Sequence, residues 1–71
     1  MGERELLVRI GRRIKTIRIE KKMSQQDLAI ACDFEKASMS RIESGKSNPT
    51  LLTLKKISSA LEVPIVELFQ N

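Results

Sequence analysis

Ser24-Gln25-Gln26-Asp27-Leu28-Ala29-Ile30-Ala31-Cys32-Asp33-Phe34-Glu35-Lys36-Ala37-Ser38-Met39-Ser40-Arg41-Ile42-Glu43-Ser44-Gly45 is the stretch whose reading decides the fold. Ser24 followed by Asp27 has the spacing of a capping box, with Asp in the place usually held by Glu or Gln. A helix therefore starts here. Leu28, Ala29 and Ala31 supply small or apolar inward positions, so the helix runs over about residues 25–31 and is short. Cys32-Asp33-Phe34 breaks it, and Asp33 tolerates the left-handed conformation that ends a helix. A second helix is expected over about residues 36–44, with Met39 and Ile42 inward. Phe34 precedes it like a hydrophobic staple, and Gly45 ends it.

The flanks continue the pattern. Upstream, Leu7, Ile10, Ile14 and Ile17 recur at three- and four-residue spacing in a background rich in Arg and Lys, the mark of an amphipathic helix over about residues 4–21. Lys21 and Lys22 suit the negative end of its dipole. Downstream, Ser47-Asn48-Pro49 reads as loop and Thr50 as the next N-cap. Leu51, Leu54, Ile57, Ala60 and Leu61 then give a 3.6-residue period. Val63-Pro64 interrupts, with Pro64 at or near the first position of a last short helix built on Ile65, Val66, Leu68 and Phe69. No alternating run argues for a strand. The expectation is an all-α fold of five helices.

Composition narrows the function classes. The chain has 71 residues, near the lower limit for a core that holds a fold unaided. One cysteine and no histidine leave no disulfide, no zinc site and no Cys–His or Ser–His nucleophile. No cofactor is expected, and a reducing cytoplasm suits a lone thiol. The amino terminus lacks a signal-peptide apolar region, and no apolar run approaches the ~20 residues of a membrane span. The formal net charge of +4 favours an anionic partner. The basic residues Arg4, Arg9, Arg12, Arg13, Lys15, Arg18, Lys21 and Lys22 crowd the first third, where they serve equally as a solvated helix face or as phosphate contacts. The segment from Met23 to Thr50 is slightly acidic, with Lys36, Arg41 and Lys46 set against Asp27, Asp33, Glu35 and Glu43.

Two short helices joined by a tight turn form a helix-turn-helix. In that arrangement the second helix lies in the DNA major groove, whose width of ~12 Å admits one helix. The residues that matter are then the outward ones early in that helix: Glu35, Lys36, Ala37, Ser38, Ser40 and Arg41.

Ser24-Gln25-Gln26-Asp27-Leu28-Ala29, Met39-Ser40-Arg41-Ile42-Glu43-Ser44-Gly45-Lys46 and Asn48-Pro49-Thr50-Leu51, followed by Leu54, Ile57, Ala60-Leu61, Val63 and Glu67-Leu68-Phe69, resemble the Cro/C1-type (XRE family) helix-turn-helix domain. The resemblance covers about residues 10–69 without gaps. It implies a compact five-helix, lambda-repressor-like bundle occupying 1–71 as a single domain, with the motif at about 24–45. It implies a transcription regulator, a repressor or restriction–modification controller, that binds a pseudo-palindromic operator in double-stranded DNA as a homodimer, with RNA polymerase as a further partner. By the same resemblance Gln25 contacts a phosphate. Lys36, Ala37 and Arg41 face base edges. Ser38, Ser44, Lys46 and Asn48 touch the DNA backbone, and Arg18 bridges to Glu43.

Chemistry weighs these roles differently. Arg41 can fork onto guanine O6 and N7, or remain a solvated or phosphate-bound Arg. Lys36 can do either. Ala37 offers only a methyl for thymine, or is helix filler. Gln25 is a phosphate donor or a solvated first-turn residue. Glu43 is repelled by phosphate, which favours its structural pairing. Glu35 stands where the family has a small hydroxyl residue, and Asp33 and Glu62 replace common turn glycines. Dimerisation is expected through Leu52, Ile65, Val66 and Phe69, unless these only cover a small core. The rival reading is a protein-interaction module of antitoxin or coactivator type on the same fold. An enzymatic or membrane-surface role has little behind it beyond a basic first helix.

Overall fold

The computed structural model describes residues 2–70, and among them every regular element is helical. The order is α1 (Glu3–Glu20), α2 (Gln25–Ala31), α3 (Lys36–Glu43), α4 (Leu51–Ala60) and a 3₁₀ turn (Ile65–Phe69). The last apolar segment is thus helical but not α. Pro64 sits outside it as an extended N-cap (φ −64°, ψ 148°), and the Glu67 N–H bonds back three residues to the Pro64 carbonyl at 3.0 Å, the tighter pattern that short segments use. The five-helix expectation becomes four α-helices and one 3₁₀ turn.

Each α-helix ends in the same way. Met23, Phe34, Lys46 and Val63 donate their backbone N–H to the carbonyls of Arg18, Ala29, Arg41 and Ser58, the long bond of a Schellman motif. This places Lys22, Asp33, Gly45 and Glu62 at φ 59°, 58°, 75° and 58°. Only Gly45 occupies that left-handed region without a Cβ penalty. The starts are capped by side chains where the sequence allows. Ser24 Oγ accepts from Asp27 N at 2.9 Å, and Ser24 N donates to Asp27 Oδ2 at 2.9 Å, closing the capping box at α2. The Ser24 backbone N–H bonded to the carboxylate, and secondarily the Ser24 side chain, hold the Asp27 carboxyl below the usual carboxylate range. Thr50 accepts from Thr53 N at 3.1 Å and starts α4. Glu35 is the N-cap of α3 and makes no side-chain cap bond.

Ile10, Ile14 and Ile17 from α1 meet Leu28, Ala29 and Cys32 from the end of α2, Met39 and Ile42 from α3, Leu54, Ile57 and Leu61 from α4, and Leu68 from the 3₁₀ turn. Met23, Phe34, Ala60, Val63 and Ile65 pack around this core. Leu7, expected on the inward stripe of α1, is half-buried and not part of this core, and two further residues expected inside are exposed. Ala31 is exposed, and so is Leu51, which opens α4 a turn before its buried face begins. Arg13 ties the 3₁₀ turn to α1, with Nε donating to the Glu67 carbonyl at 2.8 Å and Nη2 to Glu67 Oε1 at 3.2 Å. Arg9 adds a bond to the Phe69 carbonyl at 3.4 Å. No helix is long and apolar enough to cross a membrane among the described residues.

Candidate nucleic-acid interface

Helices α2 and α3 are joined by Cys32-Asp33-Phe34-Glu35, a four-residue turn. On α3 the inward positions are Met39, Ile42 and Glu43. At about 100° per residue, the opposite meridian runs through Ala37 and Arg41. Ser40 and Ser44 lie on one rim of that outward face and Ser38 on the other. Lys36, Ala37, Ser38, Ser40 and Arg41 are all exposed. The geometry separates two cations that the sequence left level. Arg41 is central, whereas Lys36 opens the helix on the side of Glu43. Neither forms an ion pair among the described residues.

Below this face lies a buried ion pair. Arg18 Nε donates to Glu43 Oε2 at 2.8 Å and Nη2 to Glu43 Oε1 at 3.1 Å, a two-pronged contact. The third arm is satisfied as well, since Arg18 Nη1 donates to the Met23 carbonyl at 2.9 Å. The side chains are only 9% and 3% exposed, so solvent screens this pair little. Gln25 joins the same network, its Nε2 donating to Glu43 Oε1 at 3.2 Å. Nothing in the sequence flagged that bond. It fixes the Gln25 amide at the α2 end of the interface and leaves the second Nε2 proton and Oε1 for another partner.

The remaining site residues are placed unevenly. Lys46 and Asn48 are exposed in the loop after α3. Ser38 and Asn48 share an open groove of about 330 Å³ with Ser47, Pro49 and Thr50. Ser44 is exposed, but its hydroxyl donates to the carbonyls of Ser40 (2.9 Å) and Arg41 (3.2 Å) within its own helix end. As placed it can accept a hydrogen bond but cannot donate one to a phosphate. Cys32 is buried, with Sγ donating to the Lys56 carbonyl, and burial pushes its thiol up.

Leu52, Val66 and Phe69 are exposed by 80%, 54% and 41%, a large apolar surface for so small a molecule. Ile65 instead packs against the core. Leu52 lines a shallow cleft with Phe34, Thr53, Lys55 and Lys56, a cleft to which Val66 and Phe69 do not contribute. Lys56 lies over the Phe34 ring at 5.4 Å, in cation–π range.

A helix-turn-helix family, HTH_3, matches residues 14–68. The control protein C.MunI of Mycoplasma sp is 37% identical over 68 residues, which make up 94% of this chain and 92% of that protein. The restriction–modification controller protein C.AhdI from Aeromonas hydrophila superposes with a TM-score of 0.86 at 32% identity, over 89% of this chain and 96% of that one. The controller protein C.Esp1396I, solved as a tetramer in complex with its natural 35 base-pair operator, superposes with a TM-score of 0.82 at 39% identity, over 90% of this chain and 84% of that one.

Proposed function

Because this chain belongs to the helix-turn-helix family HTH_3, we propose that it is a sequence-specific regulator of transcription, of the restriction–modification controller type, that binds a pseudo-palindromic operator in duplex DNA as a homodimer. The observation that carries this reading is the outward face of α3. It is polar, exposed and centred on Ala37 and on Arg41, which forms no ion pair among the described residues, and it is braced from behind by the buried Arg18–Glu43 pair. A helix held in this way is ordered before it meets the major groove, so docking has only its exposed side chains left to order. The near end-to-end match with a control protein supports the controller assignment over a general repressor.

In this reading the whole stretch acts as one DNA-binding domain, with the motif at about residues 24–45. Arg41 donates both prongs of its guanidinium to a guanine, and Ala37 meets a thymine methyl. Gln25, Ser38, Lys46 and Asn48 hold the sugar–phosphate backbone and set the register of α3. Lys36 and Ser40 line the edge of the same face. Two copies spaced by about one helical turn, ~34 Å, read the two half-sites. Val66 and Phe69 on the 3₁₀ turn form the contact between copies, and Leu52, which lines a separate cleft, is left outside it. RNA polymerase enters only as the enzyme whose access to a promoter such a dimer controls.

Arg41→Ala tests the assignment. On a duplex selected for tight binding the loss is expected to be about 1–3 kcal/mol per half-site, roughly 5- to 150-fold. On random duplex the loss is expected to be several-fold at most. Competition titrations of the two duplexes measure both. Equal losses on the two would demote Arg41 to a backbone contact and remove the basis for reading α3 as the base-reading helix.

A further inference from the structure

Three of the six basic residues of α1 are committed internally. Arg18 is paired with Glu43 and Arg13 with Glu67, while Arg9 reaches the Phe69 carbonyl. Lys15 is different. It is exposed, and no ion pair engages it among the described residues. Its position along the helix is informative. Gly11 abuts the backbone at Ile42 and Glu43 so closely that a Cβ there would meet their carbonyl oxygens at 2.5 Å. Arg18, seven residues on, grips the Glu43 carboxylate. Lys15 lies between the two on the same edge of α1, four residues after one and three before the other.

That edge borders a cleft of about 170 Å³ lined by Lys15, Gln25, Ser40, Glu43 and Ser44. Several water volumes of ~30 Å³ fit there, so there is room for a tetrahedral oxyanion. The donors come from three helices: the Lys15 ammonium, the second Gln25 amide proton and the Ser40 hydroxyl. Ser44 contributes wall only, because its proton is held within its own helix end. Charge decides whether an anion can enter. Glu43 alone would repel it, Arg18 cancels Glu43, and Lys15 leaves a net single positive charge. Ser40 and Ser44 lie on one rim of the outward face of α3, the rim that would run beside one sugar–phosphate strand if Arg41 points into the groove.

We propose that Lys15, with Gln25 and Ser40, forms a seat for one DNA backbone phosphate on the α1 side of α3. The proposal rests on the DNA-binding reading above and adds to it one counterion-releasing contact per protomer from α1. The groove on the other side of α3, lined by Ser38, Ser47, Asn48 and Thr50, carries no charged residue. Of the two clefts flanking α3, the one on the α1 side is the one lined by a cation, Lys15.

The test is the salt dependence of binding by wild-type protein, Lys15→Gln and Lys15→Arg, on a selected duplex and on a random one, between 50 and 200 mM KCl. Lys15→Gln is expected to make the log–log salt slope shallower by about 0.9 per bound protomer. Near 0.15 M salt it is expected to weaken binding about five-fold per protomer, alike on both duplexes, while Lys15→Arg keeps the wild-type slope. Lys and Gln have similar helix propensity, so the thermal midpoint of Lys15→Gln should match the wild type. A wild-type slope in Lys15→Gln, whatever its affinity, overturns the phosphate seat, as does a loss confined to the selected duplex. If the wild-type protein itself shows no preference for any duplex, the regulator reading falls as well. If the preference is intact and the slope unmoved, the seat alone is wrong.

Discussion

Glu43→Ala is expected to lower the unfolding free energy by about 3–5 kcal/mol, the usual cost of leaving one partner of a buried ion pair alone. Both prongs of Arg18 lose their acceptor, with the guanidinium held at the α1–α3 contact and only 9% of its side chain exposed. For a chain of this size the expected total stability is only about 5–10 kcal/mol, so the variant should melt at least about 12 °C lower. Replacing both partners with apolar residues of similar size, Arg18→Met with Glu43→Leu, should recover much of the loss, because no charge is then stranded. DNA affinity should not recover with it. Gln25 loses the oxygen that orients its amide, and the α1 side of the interface loses its brace. Chemical denaturation of the single and double variants measures the cycle. A loss below about 1 kcal/mol for Glu43→Ala is the value of a solvent-screened surface pair, and it would contradict the buried brace.

Gly11→Ala carries the second large effect, and there the sign is the test. Alanine in a helix interior normally stabilises by about 0.8–1 kcal/mol relative to glycine. At this position the new Cβ would stand 2.5 Å from the carbonyl oxygens of Ile42 and Glu43 and 2.8 Å from the Glu43 carbonyl carbon. All three are backbone atoms, so no side chain can rotate away, and α1 must back off from the end of α3. Overpacking of this kind costs about 1–3 kcal/mol, which exceeds the propensity gain. The expected result is a lower thermal midpoint together with weaker DNA binding, since the same displacement pulls Arg18 from Glu43. A raised midpoint, as for an ordinary helical Gly→Ala change, would show that the two helices do not approach so closely.

These two sites illustrate what a sequence makes legible. The helix starts and stops could be read because they are local. Ser24 with Asp27, Thr50 before an apolar run, and Gly45 after Glu43 each carry their own backbone chemistry. Asp33 could be placed for the same reason. Lys22 in the left-handed region could not, because a lysine has no side-chain chemistry that announces it. The outward face of α3 followed from the 3.6-residue period once Met39 and Ile42 were set inward. Gly11 resisted reading because an isolated glycine in a helix looks like a weak point until the partner helix is in place. The Gln25–Glu43 bond joins residues 18 apart and the Arg13–Glu67 contact joins residues 54 apart, and no local pattern encodes either. Leu51 shows the converse error: its spacing fits the apolar stripe of α4, but as the first helical residue it lies beyond the edge of the core.

Selection of bound duplexes from a random pool, by the wild-type protein near 0.15 M salt, tests the central claim most directly. If α3 reads the major groove in two copies of this chain, the enriched duplexes converge on a motif with dyad symmetry, a guanine at the same place in each half and half-site centres about 10–10.5 base pairs apart. A pool that stays random after repeated rounds, although the folded protein is retained throughout, would contradict it.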